Sequence, residues 1–234
     1  MTDDSVALWR AAGRLGWNVE RMTKFRLPDD FPPVDEPVLY VEGLTAPMIA
    51  EQLGATIDEV PVDWLPRLPA EYRKRDVRLM SLAEARQLSG RRFVKPPNDK
   101  SFAASVYTAS ELPTEYDDAM PVLVSEIVEW EVEFRCFVLN RSVVAQSVYL
   151  RDGALQREAG FAASDEEIAA LHAFMHTVLA DVRVDLPDAT VIDAGIIRGK
   201  GWAVVEQNAA WASGIYGCDP EQVLHVLRRA TRKS

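Results

Sequence analysis

Three groups of polar residues stand inside otherwise apolar stretches, and their types limit the chemistry they can do. The first is VIDAGIIRGKGWAVVEQN, residues 191–208. A hairpin turning at Gly199-Lys200-Gly201 puts Ile192, Ala194 and Ile196 on one face and Asp193, Gly195 and Ile197 on the other. On the return strand Glu206 and Asn208 share a face and Gln207 takes the opposite one. Folding back is expected to bring Asp193 near Glu206 and Asn208. Two carboxylates and an amide oxygen are hard donors of the kind that hold Mg²⁺, with water and phosphate oxygens completing an octahedron. On spacing alone this reading and that of a solvated sheet face weigh evenly. The apolar flanks in VVEQNAAW favour the first, because burying carboxylates without a cation is costly.

The second group lies in EVEFRCFV, where Val132, Phe134, Cys136 and Val138 form an apolar face and leave Glu133 and Arg135 on the other. Such a pair either makes a structural salt bridge or meets a polar ligand. The third is FVKPPNDKSF, with Lys95 ending a strand and Lys100 in a polar loop. Lysines in such places are usually solvated, but they are also how phosphates are clamped. Signals for other chemistry are absent: there is no GxxxxGK[ST], no GxGxxG opening a helix and no GxSxG. His172 and His176 are four apart on one predicted helix without a third ligand nearby in sequence, and are read as helix residues flanking a core stripe.

The elements that carry these groups follow from periodicity and punctuation. Residues 6–15 read as a helix closed by Gly16, and LPDDFPPVDEP, with four prolines, as a linker. PVLYVEG reads as a strand, TAPMIAEQLG as a helix with Thr45 as N-cap, and residues 61–73 as proline-punctuated and irregular. VRLM is a strand, and SLAEARQLSG a helix with a Ser81/Glu84 capping box. RRFVKP and SVYTASEL follow as strands, the second leading into one turn. Residues 120–151 give the strongest β signal, as three strands with turns at Asn140-Arg141 and Asp152-Gly153. SDEEIAALHAFMHTVLADV is an amphipathic helix capped by Ser164, with Ile168, Leu171, Met175, Val178 and Leu179 inward. After the hairpin, PEQVLHVLRRATRK reads as a last helix. The fold class is α+β, with a hairpin-rich second half.

Composition narrows the partners. The 234 residues carry 26 basic and 36 acidic side chains, a net charge of −10, which disfavours a nucleic-acid or anionic-membrane partner. Neither a spanning run nor a signal-peptide profile is visible, so a cytoplasmic location is expected. Cys136 and Cys218 are read as reduced packing residues.

In this order, the three clusters resemble the ATP-grasp superfamily. Its pattern is a strand lysine and a loop lysine, a hinge strand with a Glu, an acid-x-Arg, and a final Asp followed by Glu-x-Asn. Here those are Lys95, Lys100, the hinge VSEIVE around Glu126, Glu133-Phe134-Arg135, and Asp193 with Glu206-Gln207-Asn208. The ending EQNAAWASGIYG is similar to that of a small bacterial and phage clade with Trp-Ala-x-Gly. The resemblance covers about residues 81–217. NAAW departs from the usual N-x-S/P-G, and the front segment is shorter than the family's preceding domain.

The resemblance implies two α/β lobes with antiparallel sheets clasping ATP: a short α/β front domain (1–80), a small lobe (81–122) and a large lobe (123–234). It implies adenine against Glu126, Ile127 and Val128, ribose on Glu133 with Glu129 as second choice, and phosphates on Lys95 and Lys100. Mg²⁺ would fall to Asp193, Glu206 and Asn208, and the moving phosphoryl group to Arg135. Arg198 and the Trp211–Gly214 loop, including Ser213, are implied as acceptor contacts. The implied activity is carboxylate–amine ligation through an acylphosphate, on a small-molecule or peptide carboxylate and an amine. A phosphotransferase and a non-catalytic ATP-binding module are the alternatives. The oligomeric state stays open, a homodimer among the options.

Overall fold

The computed structural model of the protein describes residues 2–22, 26–41, 43 and 45–233. Helix α1 (Asp3–Arg14) opens the chain, with Thr2 accepting from the Ser5 amide at its N-cap. Then come α2 (Ala46–Gln52), β1 (Ala55–Ile57), α3 (Trp64–Arg67), α4 (Ala70–Arg73), β2 (Val77–Ser81) and α5 (Leu82–Ala85). Strands β3 (Arg92–Lys95), β4 (Ser105–Tyr107) and β5 (Pro121–Ser125) precede the long β6 (Trp130–Leu139) and β7 (Ser142–Arg151). The rest is β8 (Ala154–Leu155), α6 (Asp165–Ala180), β9 (Ala189–Ile197), β10 (Gly201–Asn208), α7 (Pro220–Ala230) and β11 (Thr231–Lys233).

Two antiparallel sheets dominate. The larger has the order β10-β9-β6-β7-β8 and the smaller β2-β5-β3-β4; β1 and β11 make a separate pair. The mixed helix and antiparallel sheet agree with the expected α+β class. The small sheet begins at Val77 and ends at Ser125, so its strands run across residues 81 and 122, where the expected units would meet. Residues 126–129 carry no strand and join it to the large sheet.

Both faces of the large sheet are covered, which explains why its strands read as near-continuous apolar runs. On one face Leu171, Met175 and Val178 of α6, with Trp64, Leu65 and Tyr72, pack on Phe134, Cys136, Ile192, Ala194 and Val204. On the other, Leu8 and Ala12 of α1 and Val223, Val226 and Leu227 of α7 pack on Phe137, Val191 and Trp211. Alternation along β6 puts Glu133 and Arg135 on this second face, beyond the cover that Phe137 receives. The hairpin glycines Gly199 and Gly201 sit at φ +74° and +79°, in the left-handed region that favours glycine.

Several sequence expectations change. Residues 61–73 are not irregular throughout: they form the one-turn helices α3 and α4, held by burial of Trp64, Leu65 and Tyr72 and kept short by Pro66 and Pro69. The expected strand at 37–43 has no ladder in its described part. Instead, the Leu39 amide donates to Thr231 Oγ1 (3.3 Å) and Val41 to the Trp211 carbonyl (3.0 Å), while Glu42 lies outside the described residues. The helix at 81–90 has its capping box but only the turn Leu82–Ala85. The last helix stops at Ala230 because residues 231–233 pair with β1 as a strand, Thr231 opposite Ile57. Cys136 and Cys218 are buried free thiols, as expected. Among the described residues no helix is long and apolar enough to cross a membrane.

Candidate functional site at the junction of the two sheets

The middle of the large sheet places three charged residues in one row. Arg135 of β6 stands opposite Asp193 of β9, which stands opposite Glu206 of β10. Arg135 holds Asp193 as a fork, Nε to Oδ1 at 3.0 Å and Nη2 to Oδ2 at 2.7 Å, and Asp193 is fully buried. The third guanidinium nitrogen donates to the Gly214 carbonyl (3.0 Å), and the group lies 5.3 and 4.8 Å from the ring centroids of Tyr149 and Tyr216. Burial works against the Arg135 charge, but Asp193 beside it raises its pKa well above the ordinary value.

Asn208 spans the two acids, its Nδ2 donating to Asp193 Oδ2 (3.2 Å) and Glu206 Oε1 (2.9 Å). The other Glu206 oxygen pairs with Lys95 at the end of β3, so one ion pair ties the small sheet to the large. Burial alone would raise the Glu206 carboxyl, but the Lys95 charge and hydrogen bond pull it down to about 2. Asp193, Glu206 and Asn208 therefore meet as expected. Among the described residues no group of three His, Cys, Asp or Glu side chains could hold a metal ion. The set here has two carboxylates and a carboxamide, hard oxygen donors around one point, which suit a magnesium ion.

Glu133 lies one pleat from Arg135 and opposite Gly195, where a Cβ would stand 2.4 Å from the Val132 carbonyl; the glycine lets the strands pass closely. Glu133 and Arg135 do not pair with each other: Glu133 accepts from Tyr149 Oη (2.9 Å). Burial lifts its carboxyl to about 7, helped by the Asp193 and Glu206 charges and opposed by the Tyr149 bond. An acid raised in this way, from 4.5 in the unfolded chain, costs nothing below about pH 4.5 and costs progressively more up to about pH 7. The full cost is roughly 3 kcal/mol. Glu133→Gln, which keeps an acceptor for Tyr149, is expected to stabilise the protein by roughly 2–3 kcal/mol at about pH 8 and by much less at about pH 5. Urea denaturation at both pH values checks this, and an equal difference at both would refute it.

The remaining expected residues divide. Glu126, Ile127 and Val128 do form the link between the sheets; Glu126 pairs with Lys200 (2.6 Å), and that hydrogen bond lowers its pKa. Lys100 is exposed in the loop after β3 and takes no part in the network. Arg198 is not brought to the acid set. It sits at the far end of the hairpin, five residues from Asp193 or about 16 Å along a strand, bonded to Glu129 (2.5 Å), Glu131 (3.3 Å) and Asp152 (3.0 Å). Trp211 is a core residue whose indole donates to the Asp58 carbonyl (2.7 Å), and Ser213 Oγ donates to Ala209 O (2.8 Å). What reaches Arg135 from their loop is the Gly214 carbonyl and the Tyr216 ring, Tyr216 being held at φ +44°. His172 and His176 are exposed on α6.

Sequence reasoning missed Tyr149, Tyr216 and Asp4, whose carboxylate accepts from the Ile215 amide (2.9 Å) and steadies that loop. Tyr216 could have been found from its place in GIYG, directly after the acid set. Nothing in the sequence marks Asp4 beyond its first-turn position.

No curated protein sequence matches this chain. The fold is similar to that of an ATP-grasp RimK domain protein from Sphaerobacter thermophilus, at 11% identity and TM-score 0.53, over 97% of this chain and 96% of that one. A D-alanine–D-alanine ligase from Bacillus anthracis complexed with ATP is similar at 12% identity and TM-score 0.47, over 72% of this chain and 63% of that one. The ATP-grasp ligase PsnB complexed with a minimal precursor is similar at 14% identity and TM-score 0.44, over 80% and 62%. The chain thus spans less than two thirds of those two ligases. Residues 72–226, well over half of the sequence, match the model of an ATP-grasp domain, the second family of its clade, and this chain belongs to that family of the ATP-grasp superfamily.

Proposed function

We propose that the protein is an ATP-dependent carboxylate–amine ligase. The observation that carries this is the row Arg135–Asp193–Glu206 with Asn208 and Lys95: two cations and two acids in fixed geometry and a hard oxygen set, where two sheets meet. The sheets are read as the small and large lobes, with residues 126–129 as hinge and the chain before Val77 as a front segment.

In this reading the backbone of Glu126–Val128 meets adenine and Glu133 the ribose hydroxyls. Asp193, Glu206 and Asn208 would hold magnesium, which when bound neutralises phosphate oxygens. Lys95 exchanges Glu206 for a phosphate oxygen, and Lys100 can close from its loop. Arg135, kept charged and oriented by Asp193, stabilises the γ-phosphoryl group as its bond to ADP breaks and a bond to a carboxylate oxygen forms. An amine then attacks the acyl carbon of the acylphosphate, phosphate leaves, and the amine proton passes to solvent. No protein nucleophile is required, in keeping with the absence of Ser/His and Cys/His signals.

Incubation with ATP, Mg²⁺ and pooled amino acids, short peptides and polyamines, followed by mass spectrometry, tests the reading. New masses equal to acid plus amine minus water, formed in step with ADP, are expected. Products that gain only phosphate would establish a phosphotransferase instead, and no ATP turnover with any pool would leave an ATP-binding module.

A further inference from the structure

Arg75 has no part in the reading above, yet it is the longest reach in the neighbourhood of the acid set. It leaves the end of α4 two residues before β2 and crosses to β10. There Nη1 donates to the Val204 carbonyl and Nη2 to the Val205 carbonyl, both at 2.7 Å. Its guanidinium lies 5.0 Å from the Trp130 ring centroid, and burial lowers its pKa to about 10 although Glu206 and Glu133 pull the other way. Its neighbour Lys74 donates to the Lys200 carbonyl (2.7 Å), so this short segment grips the hairpin at its turn and again in mid-strand.

The two carbonyls that Arg75 holds sit where the hairpin changes register. Gly201 to Val204 pair with Ile197 to Ala194 in regular order, but the next pair is Glu206 with Asp193, so Val205 is a bulge. In an unbroken ladder Val205 would face Asp193, and Glu206 would face Ile192, pointing with Val204 into the apolar core beneath α6. The extra residue turns Glu206 to the face of Asp193, Lys95 and Asn208, because a one-residue slip reverses every side chain that follows. A bulge disrupts the ladder locally, and its carbonyls need other donors. The planar fork of an arginine can serve two neighbouring carbonyls at once; an ammonium is a point donor on a flexible stem.

We propose that Arg75 is a positioning residue: by pinning the bulged carbonyls of Val204 and Val205 it fixes the face on which Glu206 stands, and so completes the oxygen set for a divalent cation. The inference rests on the reading of Asp193, Glu206 and Asn208 as that set. Its test uses the full chain with Arg75→Lys and Arg75→Gln, and two readouts. One is the gain in ATP affinity on adding Mg²⁺, with adenosine as control, by calorimetry. The other is the hairpin register by NMR, as cross-strand contacts of Glu206 with Asp193 or with Ile192.

Both variants are expected to lose the 206–193 contacts in part and to reduce the Mg²⁺-dependent gain by about 10-fold or more, while adenosine affinity stays within about two-fold of the parent. The lysine variant should retain more of both than the glutamine variant. An unchanged gain, or a lost gain with the register intact, would overturn the proposal. Failure of both variants to fold would also overturn it, making Arg75 a structural residue. If the unaltered protein shows no Mg²⁺-dependent gain, the cation reading of the acid set fails, and the register contacts still decide whether Arg75 holds the bulge.

Discussion

Arg135→Met is expected to destabilise the protein by about 3–5 kcal/mol, because it leaves the fully buried Asp193 without its paired guanidinium. Taking a charge out of water is expensive, and the two parallel bonds from Arg135 are what offset it here. The methionine also gives up the bond to the Gly214 carbonyl and the contacts with Tyr149 and Tyr216, so the loop carrying Tyr216 should loosen with the pair. The double variant Arg135→Met/Asp193→Leu removes both charges at similar volume and should recover much of the loss, since an apolar replacement of a buried pair is often close to neutral. Urea denaturation of the parent, both single variants and the double variant measures the coupling. A single-variant loss below about 1 kcal/mol, the range of exposed pairs, would show that Asp193 is not held in this way.

Glu206→Gln is expected to lower ADP formation by about 100-fold or more, the scale on which removal of one electrostatic group at a developing charge acts. The substitution keeps the shape and one oxygen, so the Asn208 bond can persist, but it removes the charge that pairs with Lys95 and would meet the cation. Because Glu206 stands at the boundary between sheets rather than inside the apolar core, the fold should survive. Unchanged adenosine affinity together with lost turnover would separate the phosphate end of the site from the adenine end. Turnover near that of the parent, with the fold intact, would remove Glu206 from the cation set.

Much of this site was legible because it depends on local pattern. Alternation in EVEFRCFV put Glu133 and Arg135 on one face, and the turn glycines of RGKGW fixed where the last hairpin folds. Polar types stranded among apolar residues marked Asp193 and Glu206, since a buried charge has to be met by something. Partnership was much less legible. Glu133 and Arg135, neighbours on one strand face, take different partners: Tyr149 bulges out of register in β7 to reach one, and Asp193 on β9 reaches the other. Arg198 and Trp211 have suitable types near the right motif, but the first sits at the wrong end of a strand and the second is consumed by the core.

The hairpin shows where local pattern stops. Residues 191–208 dictate two strands, their turn and their polar types, because side-chain alternation and glycine conformation are properties of a few neighbouring residues. They do not dictate which face Glu206 takes. Strict alternation from the turn would send it opposite Ile192, into the core; the bulge at Val205 sends it to Asp193 instead. That choice is stabilised by Arg75, 129 residues away from Val204, and by Lys95 on the other sheet, 111 residues from Glu206. Register is an energy comparison between whole faces of a sheet, so it is settled only when distant chain has folded against it.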